Sequence, residues 1–255
     1  MNPRRLIYSM RGKYYNAFFL VLLILAFLVL REEPSTIFEK TSGIGESVGT
    51  KETIKEEKIQ VIIDPGHGGF DPGKVGVNGI LEKDINLSIS HKLKEFLEAN
   101  DIEVIMTREE DVALYDESAS NKKSSDLKRR VEMVNNSNAV IAISIHQNSF
   151  TQESSKGAQV FYHNLSLEGK NLAEIIQEQM KTTLADGNHR LAKSNDSYYM
   201  LKNTECPIVI VECGFLSNNN EANLLNDEVY QEKVAWAIHL GILTYINQYV
   251  MNQVE

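Results

Sequence analysis

Residues 61–69 read V-I-I-D-P-G-H-G-G. An unbroken Val/Ile run that stops at a Pro/Gly turn predicts a short strand covered on both faces and ending sharply. His67 sits inside that turn, flanked by Gly66, Gly68 and Gly69. Glycines let the backbone pass close to a neighbouring group, so an imidazole caged by them is accessible to a metal and to substrate. The G-x-G-x-x-G pattern of dinucleotide sites is absent, and Pro72 with the nearby glycines keeps this segment from starting a helix.

Outward from this stretch the chain alternates. Strands are expected at Ile59–Asp64, Glu103–Thr107, Ala139–His146, Ala158–Tyr162, Tyr198–Leu201 and Ile208–Glu212, several of them continuous Val/Ile runs. Between them lie runs with helical spacing. The first carries Leu81, Ile85, Ile89, Leu93, Phe96 and Leu97, and the second Leu127, Val131 and Val134. The third carries Leu172, Ile175, Ile176, Met180 and Leu184, and the last Val234, Ile238, Ile242, Tyr245 and Tyr249. This order predicts an α/β fold: a three-layer sandwich in which a mostly parallel six-stranded sheet is flanked by helices in a single catalytic domain. Residues 108–125 form a long polar loop, a length shared by binding lids and by merely mobile segments.

The chemistry-bearing residues fall at the ends of the predicted strands. His146 ends A-V-I-A-I-S-I-H, and Glu212 interrupts I-V-I-V-E-C-G-F. With His67 they follow the carboxyl ends of three strands, the edge at which open α/β sheets bind ligands. A carboxylate behind I-V-I-V is expected to be nearly buried, and a buried charge needs a partner or a role as a base. Glu82 opens the first helix, where the helix dipole alone already favours a carboxylate. Read together, His67, Glu82, His146 and Glu212 suit a mononuclear zinc hydrolase: three groups to hold a catalytic Zn2+ with a position left for water, and one carboxylate as base. Asp64 is a candidate to orient a ligand imidazole, with turn capping as the equal alternative. Arg130 and Arg190 are candidate contacts for a substrate carboxylate. His91, His163, His189 and His239 lack comparable contexts. The one G-x-S-x-G, at residues 45–49, lies in a polar stretch with no strand run before it and so makes no nucleophile elbow, and there is no H-E-x-x-H.

Composition narrows the class further. The chain has 255 residues, 42% of them hydrophobic, and a formal net charge of −9, which argues against nucleic acid as a partner. Cys206 and Cys213 flank one strand-like run; extended, it spans roughly 23 Å, far beyond the roughly 7 Å that a disulfide tolerates between Cα atoms. Residues 1–31 place Arg4, Arg5, Arg11 and Lys13 before the apolar run 17–30, so the chain beyond residue 31 should face outward from the cytoplasm. Membrane anchor and signal segment both fit. As a helix the run rises roughly 21 Å against a core of roughly 30 Å, which suits an export signal. The Arg31-Glu32-Glu33-Pro34 sequence offers no small-x-small cleavage site and so favours an anchor. Residues 32–57 are polar and lack a sustained period, as expected of a linker, leaving 58–255 as the catalytic domain.

Five ordered motifs carry a family likeness: D-P-G-H-G-G from Asp64, T-R from Thr107, D-L-K-R-R-V from Asp126, S-I-H-Q-N from Ser144 and V-E-C-G-F-L-S-N from Val211. From about Lys58 to Tyr249 the chain resembles the zinc-dependent N-acetylmuramoyl-L-alanine amidases of bacterial cell walls, and within them the germination-specific type of spore formers. Ser137-Asn138 stands where relatives often have Ala-Asp, away from the site. The resemblance implies zinc ligands at His67, Glu82 and His146, a catalytic glutamate at Glu212, and peptidoglycan as substrate. It implies hydrolysis of the amide between N-acetylmuramic acid and L-alanine, in cortex or wall remodelling outside the cytoplasm. A protein activator is a further candidate partner, alongside the membrane. Two rival functions carry different tests: a zinc peptidase cutting the stem peptide, and a non-catalytic wall-binding module.

Overall fold

Side-chain alternation along the central strands sorts the apolar residues into two layers. The computed structural model describes residues 58–251. The anchor or signal segment at 1–31, the linker at 32–57 and the last four residues lie outside the described residues. Strands β1 (Gln60–Pro65), β2 (Glu103–Met106), β3 (Ile141–Asn148), β4 (Gln159–Tyr162), β5 (Lys193–Ser194) and β6 (Ile208–Phe215) form one sheet in the order β2-β1-β3-β6-β4-β5. Every neighbouring pair is parallel except β4 with β6.

Val61, Ile63, Ile143, Val209 and Val211 point to one face. There they meet helices α1 (Glu82–Glu98), α3 (Leu167–Leu184) and α6 (Glu228–Tyr245) through residues such as Ile89, Leu93, Leu172, Ile176 and Ile238. Ile62, Ala142, Ile208 and Ile210 point to the other face and pack on α2 (Lys122–Asn135) and α4 (Tyr199–Asn203) through Val131, Val134, Met200 and Leu201. Each fully buried aliphatic side chain stabilises the fold by roughly 1.5–3 kcal/mol, so this alternation fixes the register firmly. The three-layer α/β sandwich expected from the sequence is the observed fold.

One local expectation fails. Tyr198–Leu201 is not a strand: Tyr198 is the N-cap of α4, and Asn195 Oδ1 accepts hydrogen bonds from the Ser197 and Tyr198 backbones to start the turn. An apolar run of four residues does not distinguish one helical turn from a strand, and here the turn made by the Asn195 side chain decides. The sixth strand is instead the two-residue β5, too short for any period to reveal. Helix α5 (Asn219–Leu225), capped by Asn218, also lies in a segment without a sustained apolar pattern. Among the described residues no helix is long and apolar enough to cross a membrane.

Arg108 and Arg130 hold the turn after β1. Arg108 donates to the carbonyls of Pro65, Gly66, Lys83 and Glu110. Arg130, 2% exposed, donates to Asp64, Asp126 and the carbonyls of Pro65 and His67. The loop at 108–125 is tied to the same turn. Gly69 N–H donates to Asp111 at 2.8 Å, Lys83 pairs with Asp111 at 2.6 Å, and Leu114 N–H donates to Asp126 at 2.6 Å. Those anchors tie the loop to the turn as one of its walls.

Candidate metal centre

His67 has a backbone φ of 63°, the left-handed region that non-glycine residues avoid. Such a residue persists only where its surroundings over-determine it, and the two arginines supply that restraint. The conformation turns the imidazole back over the sheet edge towards His146, ring centroids 5.0 Å apart and nearly perpendicular. Gly66 and Gly73 are required by close approach. A Cβ at Gly66 would overlap the His146 ring, and one at Gly73 would overlap the Glu82 carboxylate and the His67 ring.

Glu82 is the first residue of α1 and only 2% exposed. Its Oε2 accepts the Lys74 N–H at 2.7 Å, and its Oε1 accepts the Gln147 N–H at 3.1 Å. The same Oε1 lies 3.2 Å from His67 Nε2 and 3.0 Å from His146 Nδ1. One donor atom from each of His67, Glu82 and His146 lies within 4.8 Å of the other two, the one such group of potential metal donors among the described residues. Burial alone would raise the Glu82 carboxyl, but hydrogen bonds and charge from the two imidazoles hold it well below the usual carboxylate range. Burial would likewise lower His146, and Glu82 outweighs it, so the imidazole is raised and binds a proton more tightly. A buried carboxylate between two imidazoles thus demands positive charge, from a proton or from a cation. Two nitrogens and one oxygen form the donor set of a three-ligand catalytic zinc site.

Glu212 faces this cluster from β6, paired directly with His146 of β3. Its Oε2 is buried and has no hydrogen-bond partner among the described residues. Burial, joined by the charge on Glu82 and only partly offset by the histidines, pushes the Glu212 carboxyl up to about 7. That poises it to exchange protons near neutral pH. Cys213 points to the opposite face and is buried in the core, and both cysteines are free. A cleft of about 420 Å³ joins His67, Glu82, His146 and Glu212 to a rim that includes Lys123 and Tyr198.

Several sequence-based expectations about supporting residues need correction. Asp64 touches no imidazole: it accepts hydrogen bonds from Thr107, Ser144 and Arg130, all within 2.7 Å. Arg130 is 2% exposed and committed to Asp64 and Asp126. The acceptor for His67 is Asp71, whose Oδ2 lies 3.1 Å from Nδ1 while Oδ1 accepts from Lys123 at 3.1 Å. Nothing in the alternation pattern marks Asp71, because it lies in the irregular turn. Its one signal is the second D-P-G, four residues after His67.

This mostly parallel sheet, with His67, Glu82 and His146 gathered at the carboxyl edge of its strands, defines a three-layer α/β enzyme with a candidate metal-donor cluster. The chain belongs to the N-acetylmuramoyl-L-alanine amidase family, whose model matches residues 61–244. It is 39% identical over 191 residues to the germination-specific N-acetylmuramoyl-L-alanine amidase of Bacillus subtilis (strain 168), covering 74% of this chain and 80% of that protein. Among solved structures it resembles the CwlD amidase from Clostridioides difficile in complex with the GerS lipoprotein. That match has a TM-score of 0.72 and 45% identity over 74% of this chain and 99% of that one. The N-acetylmuramoyl-L-alanine amidase from Clostridium difficile 630 matches with a TM-score of 0.68 and 30% identity, covering 75% of this chain and 98% of that one.

Proposed function

We propose that the protein hydrolyses the amide joining N-acetylmuramic acid to L-alanine in peptidoglycan, with one zinc ion held by His67, Glu82 and His146 and with Glu212 as the catalytic base. The observation that carries this reading is the convergence of those three donors beside an unpartnered, buried Glu212 oxygen. When bound, zinc supplies Lewis-acid polarisation of the scissile carbonyl and acidifies a water. Glu212 takes a proton from the attacking water and returns one to the departing alanine nitrogen. Asp71 fixes the His67 tautomer through Nδ1, leaving Nε2 directed at the donor cluster.

The likeness to a germination-specific relative favours cortex or cell-wall remodelling in a spore former, outside the cytoplasm. Residues 1–31 would tether the domain to the membrane and 32–57 would let it reach along the wall. The relative solved with a lipoprotein supports a protein partner of comparable kind for this chain.

Digestion of purified peptidoglycan by the zinc-loaded protein, followed by mass analysis, tests the reaction. Intact stem peptides freed from glycan support an amidase. Cleavage inside the stem would identify a peptidase, and binding without cleavage a wall-binding module. A second measurement addresses Asp71. Replacing it by Ala is expected to weaken zinc binding about 10- to 100-fold, read by competition with a chromogenic chelator. Unchanged affinity would remove Asp71 from the positioning role.

A further inference from the structure

Of the half-buried or buried arginines around the sheet edge, Arg108 and Arg130 are fully engaged by backbone carbonyls and carboxylates. Arg190 differs. Its Nε donates to the Lys156 carbonyl at 2.7 Å, its Nη1 donates to Gln159 Oε1 at 3.1 Å, and its guanidinium lies 4.6 Å from the centre of the Phe215 ring. These three contacts immobilise the group, and no carboxylate oxygen among the described residues lies within ion-pair distance, although its charge reaches Glu221. The nearby acids are otherwise occupied: Glu221 accepts the Gly157 and Phe215 N–H groups, and Asp186 accepts the Asn188 N–H. Arg190 lines an open groove of about 520 Å³ together with Lys156, Asn188 and His189, and with the acids Asp186 and Glu221.

The strand register links this groove to the reacting centre. Gln159, which holds Arg190, pairs with Glu212 across the antiparallel β4–β6 ladder, so both side chains emerge on the same face. Strands are about 4.8 Å apart, and one side chain more brings the guanidinium to on the order of 10 Å from the Glu212 backbone. An extended peptide covers that span in about three residues. Of the two halves of the substrate, the glycan is neutral, whereas a stem peptide that continues from alanine through a γ-linked glutamate carries a free carboxylate within that distance. In a chain of net charge −9 a fixed cation favours such a group, and Lys74 and Lys123 already line the catalytic cleft itself.

We infer that Arg190 binds a stem-peptide carboxylate two to three residues beyond the scissile amide, which makes it a specificity residue; this rests on the amidase reading. The test compares muramoyl-tripeptides with free carboxylates against the same compounds amidated at the second or the third residue, using the zinc-loaded full chain. In the wild-type enzyme, amidating the carboxylate that Arg190 meets should raise KM about tenfold with kcat little changed. Arg190→Gln should raise KM to a similar extent on the free acid and lose the preference, while Arg190→Lys retains part of it. Equal KM for free and amidated substrates in the wild type would overturn the inference, and that comparison stands even if Arg190→Gln does not fold. An equal loss by Arg190→Gln on all substrates would also overturn it. Cleavage of none of the compounds would reject the amidase reading itself, and the inference with it.

Discussion

Glu212→Gln is expected to lower kcat for release of stem peptide by about 10²- to 10⁴-fold, the usual contribution of a positioned acid–base group. Glutamine fills the same space but cannot take a proton from water or hand one to the alanine nitrogen. The fold should tolerate it, because Glu212 Oε2 has no hydrogen-bond partner to lose among the described residues. Zinc content, measured on the purified variant, should match that of the parent. His67→Ala should behave differently and lose metal along with activity, since it removes one of the three converging donors. Undiminished turnover by Glu212→Gln would sink the assigned roles, and loss of zinc from it would recast Glu212 as a ligand.

Asp64→Ala should be the most destabilising single change near the site. Arg130 and Asp64 are 2% and 1% exposed and 2.7 Å apart, so the variant removes one of the two carboxylates that Arg130 meets and the shared acceptor of the Thr107 and Ser144 hydroxyls. Breaking such a buried pair costs about 3–5 kcal/mol. At roughly 2–4 °C per kcal/mol for a domain of this size, melting should fall by at least about 6 °C. The pH dependence follows from the same pair. Burial acts to raise the Asp64 carboxyl, but the Arg130 charge and the Ser144, Thr107 and Arg130 hydrogen bonds prevail and lower it from 3.8 to about 2. The folded state therefore binds this proton less readily than the unfolded chain does. The stabilisation is complete above about pH 4 and is lost as pH falls towards about 2. An acid titration of the melting temperature should show this slope in the parent and a shallower one in Asp64→Ala. Parallel curves would show that the pair does not govern acid stability.

The layout of the sheet was legible because buried parallel strands leave a coarse mark: unbroken Val/Ile runs separated by helical spacing. His67, His146 and Glu212 were legible for a related reason, each being a polar group placed where such a run stops. Glu82 was not distinguishable by local context, since any helix start favours a carboxylate. Packing of α1 beneath β3 singles it out by setting its oxygen against both imidazoles. Resemblance to a known family placed it in the donor set beforehand, but periodicity could not.

What lay beyond the sequence depends on contacts between residues far apart in the chain. Asp64 and Asp71 are both aspartates of D-P-G turns around His67, and their types and spacing do not say which one meets the imidazole. The left-handed backbone at His67 turns the ring towards Asp71, while Arg130, 66 positions further along, claims Asp64. The fate of Tyr198–Leu201 was decided by the Asn195 turn, and Arg130 and Arg190 were separated by burial and by the two carboxylates that Arg130 meets. By itself the sequence determined the layers of the sandwich and the edge where the chemistry collects, because hydrophobic periodicity is local and repeated. The pairing of each polar group was left to the tertiary structure, because hydrogen bonds and charges at that edge join partners whose approach no local pattern encodes.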